Sequence, residues 1–385
     1  MSLEVAPAAA DEVAALRAAV LGLCAPLTLG DELAPGARLI DVTVGLGLGL
    51  VFAVDGERLI VEVSPGPGPA AARSAQLGFA YRGRDRALGQ RLCALLAAQV
   101  GPREAGFLAE LAALGAATAA APRVRAVAVD RLLEPGGTAA VPFYTCSPYV
   151  GCLIGCRFCY AQSRLGEVRA LLGRPPALWG TWVDVRVDAP AVLAAELRAL
   201  PPAPIKFCPI VSDPYHAIEA RTRLTRACLE TIAAAPSPPP VLVLTRAPLI
   251  LRDLDVLAGL PAWVGVSLPT IDDDVRAHFE PRAASVAERL AILAAARAAG
   301  LRTFAVVQPM LPGSIERLAD ALAAVAHSVS LDVLRGEESA GPLFDRPDVA
   351  AARTAAWQAA QRDALSAALD ARGVPRWIDE LPPDR

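Results

Sequence analysis

The sequence predicts an α/β fold: a parallel sheet, open or curled into a barrel, with an extra N-terminal α+β unit before it and a helical extension after it. Three observations carry that expectation. From about Val141 onward, apolar runs of strand length alternate with amphipathic helical runs. Before that point two alternating apolar runs flank a two-residue turn, the pattern of an antiparallel hairpin. The tail "PDVAAARTAAWQAAQRDALSAALDARG" reads as one long helix. A chain of 385 residues exceeds the usual size of a single core, so the division expected is 1–121, 141–335 and 336–385.

In the first unit the hairpin is "RLIDVTVGLGLGLVFAVDGERLIVEVSP", turning at Asp55-Gly56. Gly45, Gly47 and Gly49 do not form a dinucleotide fingerprint, because no small residue follows at the third place and no helix comes next. They predict a curved strand, or one that another backbone approaches closely. After the Pro/Gly run "SPGPGP", the stretches "RALGQRLCALLAAQV" and "EAGFLAELAALGAATAA" predict helices.

In the second unit the predicted strands are "PIKFCPIVS", "PVLVLT", "WVGVSL", "RTFAVVQPM" and "SVSLDVL", each apolar enough to be buried on both faces. Between them lie the helices "LTRACLETIAAA", "SVAERLAILAAARAAG" and "SIERLADALAAVAH", the second closed by Gly300. Such alternation implies right-handed crossovers. Ligands of these folds gather at the C-terminal ends of the strands, which selects Ser212, Asp213, Thr245, Arg246, Ser267, Gln308 and Pro309 as mouth residues.

Composition excludes several classes. Hydrophobic residues make up 54%, yet no apolar run reaches the roughly 18 to 20 residues of a membrane-spanning helix. The N-terminus carries early acids where a secretory signal has basic residues, so a cytoplasmic location is expected, with no membrane partner. Net charge is −3 and Lys206 is the one lysine, so no basic face for nucleic acid is visible. Eight cysteines in such a chain argue against a disulfide scaffold, and Cys24, Cys93 and Cys228 sit in apolar helical surroundings that predict burial.

The chemistry is concentrated in "SPYVGCLIGCRFCY", which holds Cys152, Cys156 and Cys159. Zinc would want a fourth ligand, which Cys146 could supply, but structural zinc sites usually come as two separated C-x2-C pairs and only one is present. Three unrelated core cysteines would not share a polar, Gly-containing loop. An iron-sulfur cubane fits better, since three thiolates hold three irons and leave the fourth open.

C-x3-C-x2-C with Phe158 before its last cysteine is the signature of the radical S-adenosylmethionine (SAM) superfamily, which this sequence resembles. The stretches "SDPYHAIEARTRLTRACLETI", "VLVLTRAPLILRDLDVL", "VGVSLPTIDDDVRAHFEPRAASVAERL" and "VVQPMLPG" further resemble the branch related to spore photoproduct lyase, over roughly residues 141–335. It departs from that branch at Ser212 (usually Thr), His216-Ala217 (Gln-Pro), Arg246 (Lys) and "VRVDAP" (a "VKxNAP" stretch).

The resemblance implies a partial (β/α) barrel, a [4Fe–4S] cluster on Cys152, Cys156 and Cys159, and S-adenosylmethionine bound at its open iron. One-electron cleavage of the sulfonium would give a 5′-deoxyadenosyl radical that removes a hydrogen atom from substrate, with a flavodoxin or ferredoxin as electron donor. By the same resemblance Ser212 and Asp213 face the methionine amino group, Arg246 its carboxylate, Ser267 the ribose, and Phe158 lies beside the adenine. Cys208, on a predicted interior strand, is a candidate hydrogen-atom donor. Tyr149, Tyr160, Tyr215 and His216 are neighbours of the site. Three functions compete: a radical SAM enzyme acting on a peptide or small metabolite, whether lyase, oxidoreductase or transferase; photoproduct-lyase-like repair of DNA, against which the acidity weighs; and a non-enzymatic zinc- or cluster-binding module.

Overall fold

A computed structural model describes residues 12–44, 47–65, 70–117, 124–138, 140–174, 177–208, 210–334, 338–377 and 381–383. Gly45, most of the "SPGPGP" run and the expected boundaries at Ala121 and residue 336 lie outside them. The first sheet is six-stranded, in the order β1-β2-β3-β4-β6-β5. Its members are β1 (Glu32–Ala34), β2 (Ala37–Thr43), β3 (Leu48–Val54), β4 (Glu57–Pro65), β5 (Ala72–Arg73) and β6 (Leu77–Arg82). The hairpin turn falls where expected: Val54 pairs with Glu57, and Asp55 (φ 48°) and Gly56 (φ 79°) are both left-handed, as a type I′ turn requires. At Gly49 a β-carbon would come within 2.9 Å of the Val61 carbonyl oxygen, the close backbone approach that the glycine pattern suggested. Helices Glu12–Leu23, Arg86–Val100 and Glu104–Ala117 cover this sheet, and Leu39, Leu50, Phe52, Val61, Phe79, Leu92 and Leu96 form a core of their own.

Next come β7 (Val124–Val127), β8 (Leu133–Gly137), β9 (Pro142–Cys146), β10 (Tyr149–Val150) and β11 (Val183–Arg186). Strands β10, β11 and β7 make a small sheet that no hydrophobic pattern announced. The principal sheet continues with β12 (Ile205–Phe207), β13 (Val241–Thr245), β14 (Ala262–Ser267), β15 (Arg302–Val307), β16 (Ser328–Leu331) and β17 (Arg376–Trp377). Its order is β17-β16-β15-β14-β13-β12-β9-β8, parallel throughout except for the β8/β9 hairpin. Because β8 and β17 are edges, the curled sheet is a partial (β/α) barrel. Its core holds Phe207, Val243, Val264, Val266, Ala305, Val307 and Val329, covered by helices that include Leu224–Ala233, Val286–Ala298 and Ile315–Val325.

Local chemistry sets the helix ends. Ser285 and Glu288 form a reciprocal capping box, and Gly300 (φ 78°) closes the same helix, its N–H on Arg297 O and that of Leu301 on Ala296 O. Two expectations need correction. The strand read as "PIKFCPIVS" stops at Phe207, since residue 209 is a proline with no N–H for a ladder. The tail is not one helix: a 3₁₀ turn at Ala350–Arg353 precedes Ala355–Asp370, whose first turn is capped by Thr354. No disulfide joins any of the eight cysteines, and Cys24, Cys93 and Cys228 are fully buried. No helix among the described residues is long and apolar enough to cross a membrane.

Candidate active site

The strand ends and the cysteine loop enclose one cleft, with about 950 Å³ of space not filled by atoms, part of it open to solvent. Cys152, Cys156, Phe158 and Cys159 line it from the loop after β10, and Ser212, Asp213, Arg246, Ser267, Gln308 and Pro309 from successive strand ends. Cys208 lines it too, from one residue past the end of β12 rather than from within a strand. Thr245 stands one layer behind.

The cysteine loop is tied down on several sides. Gly151 N–H donates to Val211 O (3.1 Å), Leu153 N–H to His216 Nδ1 (3.3 Å) and Arg157 N–H to Phe279 O (2.8 Å), while Arg282 Nε donates to Ile154 O (3.2 Å). Gly155 is left-handed (φ 63°), and any β-carbon there would collide with the Arg282 guanidinium. We expect Gly155→Ala to cost at least about 1–2 kcal/mol from backbone handedness alone, and to lower metal retention by the loop. Chemical denaturation together with metal analysis checks this, and an unchanged midpoint with unchanged metal content contradicts it. Behind the loop, helix Ala161–Leu171 is anchored in the N-terminal unit: Leu171 and Leu172 join its core, and Arg164 pairs with the buried Glu62 of β4.

Charge at the cleft is largely committed to the protein. Asp213 accepts from Thr245 Oγ1 (2.6 Å), Tyr215 N–H (2.9 Å) and Arg246 N–H (2.8 Å), tying the ends of β12 and β13 together. Burial pushes its carboxyl upward against those hydrogen bonds. Three of about four acceptor positions are taken, which leaves room for one more donor. Arg246 Nε donates to Glu280 (2.6 Å), and fully buried Glu280 also pairs with fully buried Arg289 (2.6 Å). Burial works against the Glu280 charge, but Arg289 and Arg246 outweigh it and hold the carboxyl below its usual range. Arg289 in turn donates to Ser267 O (2.8 Å), joining this network to β14. The cysteine loop joins it as well, since Cys156 Sγ lies 3.8 Å from Glu280. Phe158 is buried beside Phe279, with Arg246 over its ring at 5.9 Å.

Two features bear on whether a cofactor fits. Ser267 Oγ lines the cleft, is buried, and has no hydrogen-bond partner among the described residues. A buried hydroxyl left so is costly unless a ligand completes it. Among the described residues no three His, Cys, Asp or Glu side chains converge on a point that one metal ion could share. Burial pushes the Cys152 and Cys156 thiols up, against the nearby Arg246 charge at Cys156.

Other expected neighbours lie elsewhere. His216 is not at the mouth: it is fully buried under the cysteine loop, edge-on to Tyr149, and burial lowers its imidazole to about 3. Tyr149 bonds Glu219 and Thr222, Tyr215 is buried, and Cys146 lies in the barrel core; none of the three lines the cleft, whereas Tyr160 does. Buried Glu219 and Asp253 and partly buried Arg226 and Arg252, from the "AIEARTRLTR" and "LILRDL" stretches, form an ionic lattice outside the cleft lining. Sequence reading missed Glu280, Arg282 and Arg289 as site supports, although all three lie in the quoted "EPRAASVAERL".

The chain is an α/β protein whose parallel half-barrel carries three thiols on the loop over its strand ends. Residues 146–323 match the family model of the Radical SAM superfamily, and this segment is a radical SAM domain. Members of that superfamily use S-adenosylmethionine with an iron-sulfur cluster. An uncharacterized protein of Mycobacterium tuberculosis is 34% identical over 182 residues, covering 45% of this chain and 52% of the relative. A protein of Acidianus two-tailed virus is 27% identical over 177 residues, covering 42% and 54%. The chain thus spans about half the length of the curated relatives it matches. Among solved structures, a spore photoproduct lyase variant overlaps 67% of this chain and 82% of its own, at TM-score 0.48 and 16% identity. A radical SAM methyltransferase from Sphaerobacter thermophilus overlaps 89% and 76%, at TM-score 0.41 and 14% identity.

Proposed function

We propose that the protein is a radical SAM enzyme that holds a [4Fe–4S] cluster on Cys152, Cys156 and Cys159 and acts on a peptide or small metabolite. The observation that carries it is the shared cleft: three thiols on one wall and a partnerless Ser267 hydroxyl on another. When bound, the cluster and S-adenosylmethionine supply one-electron cleavage and removal of a hydrogen atom from substrate. Ser267 Oγ bonds a ribose hydroxyl, the vacant acceptor position of Asp213 takes an ammonium proton, and Ser212 stands beside it. Arg246, fixed by Glu280, presents its remaining N–H groups to a carboxylate. Phe158 packs against the adenine. The apolar wall excludes water and orients the substrate bond. An electron donor of the flavodoxin or ferredoxin class completes the system. Cys208 is placed on the cleft wall to return a hydrogen atom, and the divisions 1–121, 141–335 and 336–385 are proposed as recruiting unit, catalytic barrel and extension.

Anaerobic reconstitution tests the metal assignment: iron and acid-labile sulfide in equal amounts are expected, and a colourless protein with stoichiometric zinc would sink it. Ser267→Ala tests the cofactor pose. Because the hydroxyl has no partner among the described residues, stability should move by less than about 0.5 kcal/mol. Affinity for S-adenosylmethionine should fall by about 0.5–1.5 kcal/mol, or roughly 2- to 10-fold, in equilibrium dialysis. Unchanged affinity contradicts the pose.

A further inference from the structure

The C-terminal tail breaks at the 3₁₀ turn Ala350–Arg353 before its helix, Ala355–Asp370, begins. In the first turn of that helix stands Gln358, a polar side chain only 2% exposed. Its carbonyl oxygen accepts from Met310 N–H (3.0 Å) and Leu334 N–H (3.2 Å), and its amide nitrogen donates to Met310 O (2.7 Å) and Ala352 O (2.8 Å). A glutamine amide offers two acceptor and two donor positions, so its whole capacity is spent on the backbone of three separate segments. Moving any one of them away would leave a buried polar group unpaired.

Each segment belongs to the cleft or packs with it. Met310 follows Gln308 and Pro309, which line the cleft, and Leu334 lines it directly. Ala352 lies in one apolar cluster with Cys152, Cys156, Phe158, Phe279 and Phe344. The strand leading to Met310 is β15, whose Val306 pairs with Ser267 of β14, so the clamped strand end adjoins the hydroxyl proposed to meet the ribose. Leu311 continues the tie, donating its N–H to Pro269 O (3.0 Å) just beyond that strand.

We propose that Gln358 is a positioning residue of the cleft, and that the C-terminal segment is part of the catalytic unit rather than an appendage to it. Through Met310 and Leu334 the amide sets the ends of β15 and β16; through Ala352 it fixes them relative to the cysteine loop. Gln358 does not line the cleft and acts through backbone alone. The part that concerns S-adenosylmethionine rests on the function proposed above.

The test compares Gln358→Met, which keeps the length and removes all four bonds, with Leu365→Ala in the same helix. Leu365 is wholly buried in the barrel core, so its truncation costs stability without touching the clamp. Two readouts are taken under conditions where circular dichroism shows each variant folded. One is equilibrium dialysis of S-adenosylmethionine against the reconstituted protein; the other is the rate at which iodoacetamide alkylates each cysteine of the metal-free protein, followed by mass spectrometry. Gln358→Met is expected to weaken S-adenosylmethionine binding by roughly 2- to 10-fold, the range of one neutral hydrogen bond, and to speed alkylation of Cys152 and Cys156 by a similar factor. Cys24 and Cys93, in the N-terminal core, should react as in the wild type. Leu365→Ala should lower the urea midpoint and move neither readout. Gln358→Glu keeps the acceptor and, with its carboxyl held protonated by burial, one donor, so most of the loss should be restored. If Gln358→Met does not fold, Gln358→Glu is read against the same control, with a smaller shift in the same direction expected. Wild-type affinity or wild-type alkylation in a folded Gln358→Met protein overturns the inference, as do equal shifts in Leu365→Ala. A wild type that binds no S-adenosylmethionine, while Gln358→Met still exposes Cys152 and Cys156, ends the proposed function alone; S-adenosylmethionine held equally by wild type and variant ends this inference alone.

Discussion

Replacing Glu280 by Ala is expected to destabilise the protein by about 3–5 kcal/mol, the cost of breaking a buried ion pair and leaving its partner charge uncompensated. Here two partners are left, because Glu280 lies between Arg246 and Arg289 and is wholly buried. The same change frees Arg246, the residue proposed to meet the cofactor's carboxylate, so S-adenosylmethionine affinity should fall with stability. Glu280→Gln, which keeps the shape and removes the charge, should show the affinity loss at a smaller cost in folding. A control is Glu230→Ala at the exposed end of an i,i+4 pair with Arg226, expected to cost no more than about 0.5 kcal/mol. Urea unfolding and dialysis read both quantities. A Glu280→Ala protein as stable as the control would show that the network contributes nothing.

The triple variant Cys152→Ala, Cys156→Ala, Cys159→Ala has the largest effect expected on chemistry. It should purify without the brown chromophore and with iron reduced to background, because the three thiolates proposed to hold the irons are gone. Folding should survive, since neither main core depends on them: the barrel core and the N-terminal core are built from other residues. Circular dichroism and metal analysis separate the two effects. Full iron and sulfide in this variant would place the cluster elsewhere.

Much of the architecture was legible because local rules and tertiary need agree. Asp55-Gly56 demanded a left-handed turn and formed one, Gly300 closed its helix, and long apolar runs made the strands of a sheet buried on both faces. The mouth residues followed from topology alone, as every strand end points to the same side of a parallel sheet. What escaped reading did so for identifiable reasons. The sheet of β7, β10 and β11 pairs segments of two to four residues far apart in sequence, too short to show periodicity. Glu280 and Arg289 look like surface charges until the fold buries them together, and Arg282 is an exposed residue whose role shows only in its bond to the cysteine loop. His216 looks like a mouth residue because Asp213 is one, yet the chain turns at Asp213 and carries the imidazole beneath the cysteine loop. Cys208 was read as a strand residue, and the strand ends one position earlier.

The central claim is that these three thiols and this cleft cleave S-adenosylmethionine by one electron, and its most direct test is product formation. The anaerobically reconstituted protein is mixed with dithionite and S-adenosylmethionine, and 5′-deoxyadenosine is quantified beside the triple cysteine variant. Product from the wild type that is absent from the variant is the expected result. A wild type that carries its cluster and never yields 5′-deoxyadenosine, with peptide amides supplied as substrate candidates, would contradict the account and leave the thiolates as holders of a structural or electron-transfer centre.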